Sequence, residues 1–170
     1  EGAHDDGAGV MQSIEVIRAL KALDLKPKRT VRAVLFANEE NGLRGAVEYL
    51  NQAKEDNNNH LFALESDAGG FTPRSFGFTT TPERLKKIMQ WQPLFVPYGV
   101  TEFLPHGGGV DIDPLKSIGT TVAGFNPDNQ RYFDIHHNAN DVFEMVSERE
   151  LKLGAANMVA LIYLVSKYGL

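Results

Sequence analysis

Thr30 to Ala46 reads TVRAVLFANEENGLRGA. Its opening run, TVRAVLFA, is almost continuously apolar with β-branched and aromatic members, a composition that suits a strand buried on both faces. A polar knot follows, Asn38-Glu39-Glu40-Asn41-Gly42, and a helical pattern then runs from Leu43 to about Lys54. Strand, tight polar turn and helix in succession make the unit from which helix-covered sheets are built. The paired carboxylates Glu39 and Glu40 fall in the turn beyond the strand's carboxyl end, where open α/β sheets gather their ligands.

Upstream, Val10, Ile14, Ile17, Leu20 and Leu23 recur at helical spacing, predicting a helix over Ala8 to Leu23 behind an Asp/Gly cluster that can cap it. Downstream, Leu61 to Leu64 reads as a second buried strand ending in Glu65-Ser66-Asp67-Ala68-Gly69-Gly70. Further strands are expected over Ser75 to Thr79, Val100 to Leu104 and Thr121 to Phe125, and helices from Pro82 to about Trp91 and from Asp113 to Ile118. His106-Gly107-Gly108-Gly109 is a loop. A long closing helix spans Glu148 to Tyr168, with Leu151, Ala155, Met158, Leu161 and Leu164 along its apolar face. The alternation predicts an α/β domain with a mostly parallel sheet covered on both faces.

With 170 residues and 42% hydrophobic content, the chain suffices for one domain with one sizeable core. A net charge of -5 and the lack of any basic run argue against a nucleic-acid partner. No apolar run approaches the roughly 20 residues that span a bilayer, so no membrane partner is expected either. Cysteine is absent, so any metal must sit on His, Asp and Glu. The abrupt start, Glu1-Gly2-Ala3-His4-Asp5-Asp6-Gly7, reads as the interior of a longer protein.

Several carboxylates and imidazoles share one kind of position. Glu39 and Glu40 follow the first strand, Asp67 follows the second, His136 and His137 follow the strand ending near Phe125, and Asp5 and Asp6 precede the first helix. Taken singly, each has an ordinary structural explanation: an Asp before a helix caps it, a Glu pair is solvated, and a His after a strand is hydrogen-bonded. Their joint placement at strand ends, among Gly-rich turns and without thiols, suits zinc in a hydrolytic site.

GAHDDGAGV, FANEENGLRGA, ALESDAGGF and YFDIHHNANDV resemble, in order and spacing, the motifs of the co-catalytic zinc exopeptidases, the family of bacterial leucyl aminopeptidases and glutamate carboxypeptidases. PKRTVRAVLFANEE, ESDAGGF and HGGGVDI draw the likeness toward the glutamate carboxypeptidases, and it covers nearly the whole chain. The resemblance implies a phosphorylase/hydrolase-like, three-layer α/β/α fold and a zinc peptidase catalytic domain over residues 1–170. It makes Asp5 the carboxylate that bridges two zinc ions, with Glu40 and His137 completing one metal site and Asp67 belonging to the other. Glu39 becomes the general base. His137 is preferred to His136 as ligand because the family ligand stands four residues before an Asp, here Asp141. His136 takes the place where some relatives keep an oxyanion-steadying Tyr. In the family a further His comes from an upstream His-x-Asp strand. That motif would precede residue 1, which leaves one site short of a ligand, and the spacing of His4 matches no family ligand.

The resemblance further implies peptide or dipeptide substrates, an Asp5–Asp6 cis peptide, an extracytoplasmic location, and room for a homodimer. The loops around Phe71 to Thr81 and Pro105 to Asp111 are expected to line the pocket, with His106, Gly108 and Asp111 contacting substrate. The rival reading is a non-catalytic binding domain on the same fold, like the transferrin receptor ectodomain.

Overall fold

In the computed structural model, which describes every residue from Glu1 to Leu170, four strands form one sheet. They are β1 (Phe62–Ser66), β2 (Pro73–Thr79), β3 (Glu102–Leu104) and β4 (Thr121–Pro127), in the order β1-β4-β2-β3. β1 pairs in parallel with β4 and β2 with β3, while β2 and β4 run antiparallel. The sheet is therefore mixed, with its parallel character in two of three pairings. The helices are α1 (Gly9–Ala22), α2 (Arg44–Glu55), α3 (Pro82–Met89), the single turn α4 (Gln92–Phe95) and α5 (Glu148–Tyr168), and Asp113–Ile118 forms a 3₁₀ helix.

Strand alternation assigns the two faces. Phe76 and Phe78 of β2, with Ala123 and Phe125 of β4, point into the main core with Val16 and Leu20 of α1, Ile88 of α3 and Met158, Leu161 and Val165 of α5. Phe76 is its centre, with ring centroids 5.9 Å from Phe95, 5.9 Å from Phe103 and 5.4 Å from Phe125. On the opposite face, Val122 packs with Ile112 and Leu115, backed by Tyr49 and Leu50 of α2. The result is the expected three-layer α/β/α arrangement. Local chemistry sets the helix starts: Thr81 caps α3 ahead of Pro82 by accepting from the Arg84 amide, and Ser147 caps α5 by accepting from the Glu150 amide. No helix is long and apolar enough to cross a membrane.

Two sequence expectations need correction. Thr30–Ala37 is not a strand: no ladder forms along it, and its first backbone hydrogen bond is at Ala37, whose carbonyl accepts from Gly45 at 3.0 Å. A cleft of about 640 Å³ separates it from β1, with Val31, Ala33 and Phe36 on one wall and Leu61 to Leu64 on the other. The apolar run lines this cleft, but a strand also needs a neighbouring backbone within bonding reach. In α1, the stripe expected from Val10, Ile14, Ile17, Leu20 and Leu23 is not the buried one. The helix buries Gly9, Gln12, Val16 and Leu20, leaving Ile14, Ile17 and Leu23 exposed. Its rotation is set by a polar contact, since the Gln12 side-chain carbonyl accepts from the Ser66 hydroxyl at 2.7 Å and its amide donates to the Leu151 carbonyl at 3.3 Å.

This packing makes Phe76 the costliest apolar truncation. Phe76→Ala is expected to lower unfolding stability in denaturant titration by about 3–5 kcal/mol. Leu35→Ser, at a side chain 52% exposed, should leave the midpoint nearly unchanged.

Candidate metal centre

The turn Ala3–Ala8 delivers Asp5 into α1. Asp5 and Asp6 leave helical geometry there, at φ -115°, ψ 93° and φ -122°, ψ 34°, and the peptide between them is cis. The buried Asp141 carboxylate holds this turn, accepting from the His4 amide at 2.7 Å and the Asp5 amide at 3.0 Å. Asp6 Oδ1 accepts from the Gly9 amide at 3.1 Å and so caps α1. His4 is 1% exposed and both its ring nitrogens are used: Nδ1 accepts from the Gly70 amide at 3.0 Å and Nε2 donates to the Met145 carbonyl at 3.2 Å. Its ring stacks on Phe71 at 4.2 Å, so His4 is a structural residue.

Asp5 Oδ2 lies 3.3 Å from His137 Nε2 and 3.5 Å from His136 Nε2, and His137 Nε2 is 2.9 Å from Glu40 Oε1. Zinc bonds of about 2.0–2.1 Å in a tetrahedron put neighbouring donor atoms about 3.3 Å apart. Asp5, His136 and His137, whose ligand atoms lie within 4.8 Å of one another, therefore fit one ion, and Glu40 joins them through His137. The donors are carboxylate oxygen and imidazole nitrogen, as a chain without cysteine requires. His136 and His137 stack at 3.7 Å with rings 20° apart, and Tyr132 lies against His136 at 4.6 Å. The His136 amide donates to the Tyr132 carbonyl at 2.9 Å, which places the two rings one turn apart.

Beside this cluster is a cleft of about 400 Å³ walled by Asp5, Asp6, Glu39, Glu40, Asp67 and Asp111, among others. So many carboxylates at close range disturb each other. Burial, reinforced by the Asp67 charge, pushes Asp6 up to about 8. Burial, followed by the charges of Asp5 and Glu39, pushes Asp67 up to about 6. Asp5 is raised by burial against the opposing pull of His136, and Asp111 is raised by burial and by Glu39. Burial and the Asp5 charge push the Tyr132 hydroxyl up to about 12. A cation in the cleft would reverse these shifts by favouring the ionised carboxylates.

The structure thus gathers Asp5, His136 and His137, joins Glu40 to them through His137, and sets Glu39, Asp67 and Asp111 on the adjoining wall. His106 and Gly108 do not line that cleft: His106 is exposed on its loop, and Gly108 lies under Asp113 and Val122. Sequence reasoning assigned no role to Tyr132 or Glu65, and used Asp141 only as a spacing marker. Glu65 had one signal, a charge inside the apolar run LFALES.

The sequence profile of peptidase family M28 matches residues 1–162. The chain belongs to that family. Human carboxypeptidase Q is 35% identical over 167 residues, covering 98% of this chain and 35% of its own length. The crystal structure of an M28 peptidase precursor from Shewanella amazonensis superposes with a TM-score of 0.91 at 30% identity, covering 97% of this chain and 38% of that one. A zinc aminopeptidase from Bacillus subtilis shares the fold, with a TM-score of 0.72 at 21% identity over 95% of this chain and 42% of its own. The M28 chain described here thus spans about a third of the length of the carboxypeptidase Q it matches.

The raised carboxylates give a signed pH dependence. Asp6 and Asp67 titrate near 3.8 when unfolded and at about 8 and about 6 when folded, so between these limits the folded state binds more protons. Stability therefore falls as pH rises through this window. With chelator present, thermal unfolding is expected at a higher temperature at pH ~5 than at pH ~8, and added Zn²⁺ should raise the pH ~8 value most. A metal-free melting temperature that rises over this interval would contradict the crowding.

Proposed function

We propose that this chain carries the metal-binding and proton-transfer residues of a zinc-dependent exopeptidase, an aminopeptidase or dipeptidase-type carboxypeptidase acting near a free peptide terminus. The observation that carries the reading is the gathering of Asp5, His136 and His137 ligand atoms within 4.8 Å of one another, with Glu40 2.9 Å from His137, in a member of a peptidase family. Asp5 would bridge two ions, with Glu40 and His137 completing one site. Asp67 would belong to the other, and no histidine of this chain stands at contact distance from it. When bound, such a pair of cations acidifies water and polarises the scissile carbonyl.

The chain's own residues supply the rest. Glu39, on the cleft wall and, unlike Glu40, not in contact with His137, takes the attacking water's proton and passes it to the leaving amine. His136, stacked on His137, faces the negative charge that develops on the carbonyl oxygen. Asp111 contributes the pocket wall facing the peptide, and His106 and Gly108 act through the shape of their loop. Asp141 keeps Asp5 in place through its backbone amide.

Glu39→Gln, assayed in the full-length protein, is expected to leave zinc content unchanged while lowering hydrolysis of dipeptides or aminoacyl anilides about 10²- to 10⁴-fold. A parallel loss of zinc would make Glu39 a ligand. A zinc-loaded wild-type protein that hydrolyses neither substrate would favour the non-catalytic binding domain instead.

Equilibrium dialysis of the 170-residue chain is expected to show one zinc held more tightly than a second. Two equally tight ions would mean that another donor completes the Asp67 site.

A further inference from the structure

Glu65, Gly124 and Gly77 stand in register across three strands, Glu65 opposite Gly124 and Gly124 opposite Gly77. They lie on the face turned away from the phenylalanine core, and the His106–Asp111 loop crosses that row. The first crossing is backbone on backbone: a Cβ on Gly77 would meet the His106 carbonyl oxygen at 2.5 Å, and one on Gly107 would meet the Gly77 Cα at 2.7 Å. Thr79 pins it by donating its hydroxyl to the Gly107 carbonyl at 2.6 Å. At the second crossing, a Cβ on Gly124 would meet the Gly108 carbonyl oxygen at 2.2 Å. At the third the strand presents a side chain. Glu65 Oε2 accepts from the amides of Asp111 and Ile112, both at 3.0 Å, and Gly109 lies so close that a Cβ there would fall 1.9 Å from Glu65 Oε1. Neither amide makes another hydrogen bond, and Ile112 is 5% exposed, so loss of the acceptor strands donors away from water.

We infer that Glu65 is a positioning residue: its carboxylate ties down the third crossing of the glycine loop and so fixes where Asp111 enters the cleft. Its effect on substrate binding rests on the exopeptidase reading, whereas its effect on the loop does not. Gly109 is the complementary half of the device, since only a residue without Cβ lets the carboxylate reach the Asp111 and Ile112 amides. The position of Asp111, whose Oδ1 is buried without a hydrogen-bond partner, follows from that anchor.

The test is a double-mutant cycle in the full-length protein, read by kinetics and by amide exchange. Glu65→Ala is expected to raise KM on the order of 10-fold while kcat stays within about 2-fold, and to speed exchange at Asp111 and Ile112 by about 10-fold or more. Exchange along β4 should not change. Glu65→Gln keeps an amide oxygen that can accept both bonds and should restore KM and exchange to within about 3-fold of wild type. Gly109→Ala should reproduce the Glu65→Ala effects and add little to them in the double variant. If Glu65→Ala fails to fold, Gly109→Ala carries the same expectations. A fall in kcat at constant KM would place Glu65 in the chemistry and overturn the proposal. Unchanged exchange at Asp111 and Ile112 would overturn the anchor. A wild-type protein without hydrolytic activity would remove the exopeptidase reading, while the exchange result would still decide the anchor.

Discussion

A single buried carboxylate organises the centre. Asp141 accepts from two successive backbone amides, those of His4 and Asp5. Taking a carboxylate out of water is costly unless its oxygens are hydrogen-bonded, and here the chain's first turn satisfies them. The His4 ring completes the clamp, spanning the Gly70 amide and the Met145 carbonyl. The beginning of the chain is thereby tied both to the loop after β1 and to the segment before α5. From that tied turn Asp5 reaches His136 and His137.

What the clamp assembles works against itself. Asp5, Asp6, Asp67 and Asp111 all have their ionised forms disfavoured, first by burial and then by neighbouring carboxylates, Glu40 acting on Asp5, Asp67 on Asp6, Asp5 on Asp67 and Glu39 on Asp111. A fold tolerates such a cluster when its stability comes from elsewhere, and here it comes from the phenylalanine core on the sheet's other face. Local conflict of this kind, set in an otherwise self-consistent structure, is where function is to be sought. The conflict is also selective, because a multivalent cation converts each unfavourable charge into a favourable one.

How much of this was legible in the sequence follows from the range of the interactions involved. α5 runs over Glu148–Tyr168 as expected because periodicity and the Ser147 cap are local properties. Asp67 was legible as a strand-end carboxylate because it directly follows β1, whereas Glu39 and Glu40 reach the same cleft from a turn that no strand precedes. The Thr30–Ala37 run misled because a strand is defined by a neighbour, which composition does not supply. The orientation of α1 was hidden because Gln12, polar by type, is buried to bond Ser66, 54 positions away. Glu65 and Asp141 were hidden for the same reason: each does its work through backbone amides remote in sequence. His106 shows the converse, a motif residue that the structure leaves exposed while Asp111, further along its loop, reaches the cleft.

The separation of duties proposed for Glu39 and Glu40 rests on the turn that carries them. Asn38 and Leu43 bracket it in the left-handed region, at φ 62° and φ 57°. The Glu39 carbonyl accepts from the amides of Gly42 and Leu43, both at 3.1 Å, and the Ala37 carbonyl accepts from Gly45 as α2 begins. Such closure fixes the backbone between the two carboxylates, so their side chains depart in different directions. Glu40, its side chain 61% exposed, reaches across to His137. Glu39 is half-buried and turned to the wall shared with Asp67 and Asp111, whose acidities its charge perturbs. One carboxylate can therefore complete a donor set while its neighbour, outside that set, stays free to carry a proton. Neither role requires the backbone to move.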